Sequence, residues 1–118
     1  MSHDHFVVRH LPDEQRYALI DTAEGDREVG QEGYIDLEVD GRTHRMLVHT
    51  GVSEEYGGQG LASLLVRQVV DDFVSQGHLI VPICPYVVAW LPKHPEYAEH
   101  VVKATPAHLQ AMNERRGE

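Results

Sequence analysis

The chain has a single cysteine, Cys84, in 118 residues. An internal disulfide is therefore impossible, and a reducing cytoplasm is the simplest home. It also lacks any apolar run near the roughly 18 residues that a membrane-spanning helix requires. Its opening residues, Met1-Ser2-His3-Asp4-His5, have neither the basic nor the apolar region of a secretion signal. Positive charge is scarce: 10 Lys and Arg stand against 19 Asp and Glu, a net charge of −9 with His neutral. Nucleic acid and anionic membranes are thereby disfavoured as main partners, whereas a cationic substrate is compatible. Zinc-type spacing of thiols and imidazoles is missing despite nine histidines. His3 and His5 sit at the chain start, and His44 and His49, five apart on a strand, are expected on opposite faces. No metal site is expected, and the length suits one domain spanning 1–118.

What is present reads as a change of period along the chain. His5 to His10 and Tyr17 to Asp21 are short β-prone runs separated by the turn Pro12-Asp13-Glu14-Gln15. Glu24-Gly25-Asp26 is a second turn. From Gly33 to Val39 the pattern alternates: Ile35, Leu37 and Val39 lie on one face, and Tyr34, Asp36 and Glu38 on the other. Such alternation predicts a strand with one buried face. Asp40-Gly41 is a two-residue hairpin signal. The return strand, Arg42 to Val52, carries Met46, Val48 and Val52 on one face and Leu47 and His49 on the other. Then Leu61, Leu64, Leu65, Val69 and Phe73 repeat at three- and four-residue steps, an amphipathic helix with Gly77 as its C′ residue. Leu79 to Ile83 is an apolar strand buried on both faces. Pro85 opens a short helix reaching Leu91, and Thr105-Pro106 caps a last helix ending near Arg115-Arg116-Gly117. Four strands, a long helix, a buried strand and further helices give an α/β fold with a mixed sheet.

The densest signal lies between the fourth strand and the long helix: Val52-Ser53-Glu54-Glu55-Tyr56-Gly57-Gly58-Gln59-Gly60-Leu61-Ala62. Glycines opening a helix are what an anion site needs. First-turn N–H groups have no internal partner, the helix dipole is positive there, and no Cβ blocks a pyrophosphate. Glycine-rich corners also occur simply to make tight turns. The neighbouring residues narrow the choice, because the stretch resembles the acetyl-CoA motif of the GNAT superfamily of N-acetyltransferases. A strand-ending Val and an acidic turn precede Gly58-Gln59-Gly60-Leu61-Ala62. The departure is Gly57, where the family usually carries Arg or Gln. Downstream, Val81-Pro82-Ile83-Cys84-Pro85-Tyr86-Val87 and Trp90-Leu91-Pro92-Lys93-His94-Pro95-Glu96-Tyr97 resemble a branch of very short members with a Pro-x-Cys-x-Tyr/Phe-Val segment.

The resemblance implies a minimal GNAT-like domain that transfers an acetyl group from acetyl-CoA to an amine. The fourth and fifth strands would splay, with backbone groups of Leu47, Val48 and His49 pairing with the pantetheine arm. Gly57, Gly58, Gln59, Gly60, Leu61 and Ala62 would surround the pyrophosphate. The thioester would sit between Val48 and Ile83, with a backbone N–H near Val48 as oxyanion donor. The family's usual acid, a tyrosine, falls at Leu91, leaving Tyr86 or Tyr97 to replace it; Cys84 stands at the family's Asn position. Cys84 is either an acyl carrier or proton donor beside the thioester, or a small buried apolar residue. His49 is either a base or a packed strand histidine; Glu38 is a further candidate. Larger members insert two helices between the first two strands, but here only Leu11 to Arg16 intervene. An open acceptor side is therefore expected, suited to an exposed group on a protein. A non-catalytic CoA-binding module is the alternative.

Overall fold

The computed structural model describes residues 4–116, with side chains through Glu114; His3 and Gly117 lie outside them. Five strands form one sheet in the order β1-β2-β3-β4-β5: β1 Phe6–Leu11, β2 Arg16–Asp21, β3 Arg27–Val39, β4 Arg42–Val52 and β5 Leu79–Pro82. The first four pair antiparallel and β5 runs parallel to β4. Helix α1 spans Leu61–Ser75, α2 Pro85–Trp90 and α3 Pro106–Arg116. No helix among the described residues is long and apolar enough to cross a membrane.

The local chemistry accounts for most boundaries. A turn at Pro12–Glu14 is all that joins β1 to β2. At the end of α1, Gly77 adopts φ 76°, its N–H bonds the Val74 carbonyl, and the His78 N–H bonds the Phe73 carbonyl. Those two bonds satisfy the last helical carbonyls, and only glycine takes this φ without strain. Pro85 and Pro106 each start a helix where a missing N–H costs nothing.

Strand β3 begins six residues before the expected Gly33. Arg27 to Glu32 show no alternation, yet they pair along β2, and from Gly30 they pair with β4 as well. The expected one-sided burial of β3 is also corrected, since Tyr34 and Ile35 are both buried. Helix α1 covers the Tyr34 face, packing Leu65, Val66, Val69 and Phe73 over Tyr17, Leu19 and Leu47. Helix α3 covers the other face, bringing Ala111 and Met112 to Ile35, Met46 and Val81. Each fully buried large side chain contributes about 1.5–3 kcal/mol.

A second correction concerns β4. Tyr34 pairs with Leu47, but the adjacent Gly33 pairs with His49, so Val48 is the extra residue of a β-bulge. Adjacent β3 residues point to opposite faces, so Leu47 and His49 do too. Val48 packs with the α3-side cluster and Val52 with the α1-side cluster. The same slip brings His44 and His49 to one face rather than two.

Helix α3 is held by a histidine pair. The Thr105 N–H donates to His108 Nδ1 at 2.9 Å, which leaves the His108 proton on Nε2, 2.9 Å from His44 Nδ1. Both contacts require neutral imidazoles. Burial, and then the neighbouring His44, lower the His108 pKa. A lowered folded pKa means stability that is complete above about pH 6.5 and lost as pH falls through the folded value. Thermal melts at pH 7.5 and 5.0 should show a drop in Tm that His108→Leu flattens; equal drops in both proteins would refute the coupling.

Candidate functional site

The β4–β5 ladder stops at one atom. Pairing runs from His44 opposite Leu79 to Leu47 opposite Pro82, and then the Leu47 carbonyl accepts N–H bonds from both Ile83 (3.1 Å) and Cys84 (2.9 Å). Pro82 and Pro85 have no N–H to extend the ladder, and Pro85 turns the chain into α2. From Val48 to Val52, β4 therefore continues without a strand beside it on that side. The Leu47 carbonyl is spent within the protein, so the free edge begins one residue later than expected, at Val48.

This edge leads to the glycine turn. Val52 also lines a small cavity of about 120 Å³ on that turn, together with Gly58, Gly60, Ala62 and Tyr86. Gly58 (φ 79°) and Gly60 (φ 74°) occupy the left-handed region, and Gly60 is the N-cap of α1 with no side-chain cap. Leu61 and Ala62, the first residues of α1, line this cavity, with no Cβ at Gly58 or Gly60 before them. Gly57 is different: its φ of −66° suits any residue, but a Cβ there would lie 3.1 Å from the Glu54 carbonyl. The turn at Glu54–Tyr56 therefore crowds any side chain at this position. A larger cavity of about 420 Å³ lies at the outer edge of β5, between Pro82, Leu91 and Val101, and shares no lining residue with the glycine turn.

Cys84 is the N-cap of α2, 7% exposed. Its thiol points to the Thr50 hydroxyl, 3.4 Å away, in the middle of the free edge. Thr50 in turn donates to the carboxylate of Glu32, its partner across the β3–β4 ladder. Glu32 is wholly buried on the α1 side of the sheet, and its Oε2 has no hydrogen-bond partner. Burial pushes its pKa up to about 8, against the opposing pull of the Thr50 hydroxyl and the His49 backbone N–H. Neither Glu32 nor Thr50 was singled out from sequence. Glu32 shares parity with Tyr34, Asp36 and Glu38, a row that reads as solvent-facing; the aromatic Tyr34 was the one sign that this row is covered.

The other candidates lie elsewhere. The His49 side chain is exposed on the face opposite Leu47, and only its backbone reaches Glu32. Glu38 sits beside the hairpin turn, accepting from Thr43, about five residues or ~16 Å along the strand from the splay. Tyr97 packs on Trp90, donates to Asp71 at 2.5 Å and accepts from Arg67, with its pKa raised to about 12. Tyr86 is exposed over the glycine turn, where it lines the small cavity beside Ser63. Val48 and Ile83 both border the α3-side cluster, so the face opposite α1 is not bare around them. Among the described residues no group of three or more His, Cys, Asp or Glu is placed to hold a metal.

A splayed parallel pair beside a glycine-opened helix, on a sheet of this order, defines the fold of N-acetyltransferases. The family model of the GCN5-related N-acetyl-transferases matches residues 16–101, and the chain belongs to that family. Among solved structures, a GCN5-like protein from Staphylococcus aureus is 21% identical with a TM-score of 0.61, covering 89% of this chain and 96% of its own. The ribosomal-protein-alanine N-acetyltransferase of Brucella melitensis biovar Abortus 2308 is 22% identical with a TM-score of 0.53, covering 80% and 67%. No curated protein matches the chain.

The buried carboxyl has a measurable signature. Its folded pKa lies above the ordinary glutamate value of 4.5, so its contribution is complete below about pH 4.5 and lost as pH rises through about 8. Glu32→Gln should therefore gain stability relative to wild type between pH 5.5 and 8.5. Paired urea melts at the two pH values test this, and a gap that shrinks with pH would contradict the assignment.

Proposed function

We propose that this chain is an acetyl-CoA-dependent N-acetyltransferase acting on an amine, with an exposed group on a protein as the favoured acceptor. The observation that carries the reading is continuity. One free strand edge, Val48 to Val52, joins the cavity on the glycine turn at one end to the Thr50–Cys84 contact nearer the other.

The residues present fit the co-substrate. Uncapped amides at the start of α1, with Gly58 and Gly60 lacking side chains, suit a pyrophosphate. The edge of β4 offers main-chain groups to an extended amide-containing arm, as an added strand would. Acetyl-CoA supplies an acetyl group already activated as a thioester. Cys84 stands beside the edge as the acyl-accepting thiol. Val48, which has no partner on β3, is the candidate backbone donor to a developing oxyanion. An amine acceptor with an ordinary pKa near 10.4 is almost wholly protonated at neutral pH, so freeing it costs roughly 4–5 kcal/mol. A proton acceptor near the gap is therefore required. With only the Pro12–Glu14 turn between β1 and β2, nothing there walls off a small metabolite.

A non-catalytic CoA-binding module is the second reading. It is favoured by Gly57, which lacks the phosphate-directed side chain, and by Leu91, buried where relatives place a tyrosine.

Thermal shift and intact-mass spectrometry with acetyl-CoA separate the readings. Saturation at about 100 times Kd should stabilise the fold by roughly 2.7 kcal/mol. Gly60→Val should weaken that shift, because φ 74° is strained for any β-branched residue. The enzyme reading expects a one-acetyl mass gain, lost in Cys84→Ala, and turnover when an amine acceptor is added. Stabilisation without an adduct or turnover would leave the binding module; no stabilisation at all would overturn both.

A further inference from the structure

Three side chains line up between α2 and the middle of the sheet with their donors in one direction. The Cys84 thiol donates to Thr50 Oγ1 at 3.4 Å, and the Thr50 hydroxyl donates to Glu32. Nothing in the packing of α1 calls for a carboxyl at Glu32. It is 0% exposed, its neighbours across the ladders are Tyr17 and Thr50, and its Oε2 has no partner at all. An unpaired buried carboxyl oxygen carries a desolvation cost that apolar residues of similar size would not incur. The cost is retained at the one buried acid connected to the only cysteine in the chain.

We infer that Glu32 is the proton acceptor for Cys84, reached through the Thr50 hydroxyl. The inference rests on the reading of Cys84 as the acyl-accepting thiol. As the sulfur attacks a thioester carbonyl carbon, the thiol proton passes to Thr50 Oγ1 and the Thr50 proton passes to Glu32. The new S–C bond forms, the old C–S bond breaks, and the departing thiolate takes up the proton that Glu32 holds. No oxidant or reductant is involved. After the shift the Thr50 hydroxyl points its new proton at the sulfur, so the thiolate keeps a hydrogen bond. The raised pKa of Glu32 makes it a base able to hold and return a proton near neutral pH. The sheet supplies the alignment. The bulge at Val48 turns Thr50 to the α1 side, and the Leu47 carbonyl fixes the Cys84 backbone.

The test uses iodoacetamide and requires no acetyl-CoA. With one cysteine in the chain, alkylation reports on Cys84 alone. Second-order rates are followed from pH 6 to 10 for wild type, Glu32→Gln, Thr50→Val and Thr50→Ser. The relay expects Glu32→Gln and Thr50→Val to slow alkylation at pH 8, by up to on the order of 10²-fold. Thr50→Ser, which keeps the hydroxyl, should restore the rate. Without a relay the sign reverses for Glu32→Gln, because removing a neighbouring negative charge makes a thiol more acidic and faster. An unchanged or faster Glu32→Gln, or a Thr50→Val indistinguishable from Thr50→Ser, overturns the inference. If Glu32→Gln fails to fold, the Thr50 pair still decides. A relay seen here with no acetyl adduct in the mass experiment would sink the acyl-carrier reading and leave the proton path standing. An adduct that forms at the wild-type rate in Glu32→Gln would do the opposite.

Discussion

The carbonyl of Leu47 is the point on which the site depends. By accepting both the Ile83 and Cys84 amides it ends the β4–β5 ladder and holds the Cys84 backbone against β4. Two prolines make this stop permanent, since neither Pro82 nor Pro85 can donate to a longer ladder. The consequence is an edge that would be a liability on an ordinary sheet: five residues of strand with main-chain groups facing no neighbour. Here the edge opens onto a helix start whose own amides are uncapped. The free edge of β4 and the glycine-opened start of α1 meet at Val52.

The bulge at Val48 decides which side chains serve that edge. Without the extra residue, Thr50 and His49 would exchange faces. Thr50 would then point toward α3, and the histidine would lie beneath α1 beside Glu32. With it, the buried face carries a hydroxyl between a thiol and a carboxyl, and the imidazole is left to solvent. One inserted residue thus selects between two chemically different sites on the same strand.

The two covers of the sheet have different characters. Helix α1 is anchored by wholly buried apolar side chains and a tight glycine ending. Helix α3 depends on a smaller apolar contact and on a pair of neutral imidazoles. It lies over the cluster that includes Val48 and Ile83, so the element with the pH-sensitive attachment is the one nearest that side of the splay. Helix α1 carries the glycine turn at its start, and α3 flanks the opposite face of the sheet.

Local chemistry was enough to reveal most of the elements and the glycine turn before α1. The Asp40-Gly41 hairpin, the 3.6-residue period from Leu61 to Phe73, Gly77 at its end, Pro85 and Pro106 at helix starts, and the glycines before Leu61 all act within a few residues of themselves. For the same reason Cys84 was legible as the residue beside a strand end. What only the tertiary structure decided is non-local. The start of β3 at Arg27 comes from pairing with β2, joined from Gly30 onward by pairing with β4, which overrides a stretch with no alternation of its own. The bulge is a relation between two strands, so the exchange of Thr50 for His49 as the inward residue is invisible along one. The burial of Glu32 depends on α1, which begins only at Leu61, covering a row that alternates like a solvated face. A sequence records which residues carry chemistry; which of them share a dry space is set by contacts that periodicity cannot express.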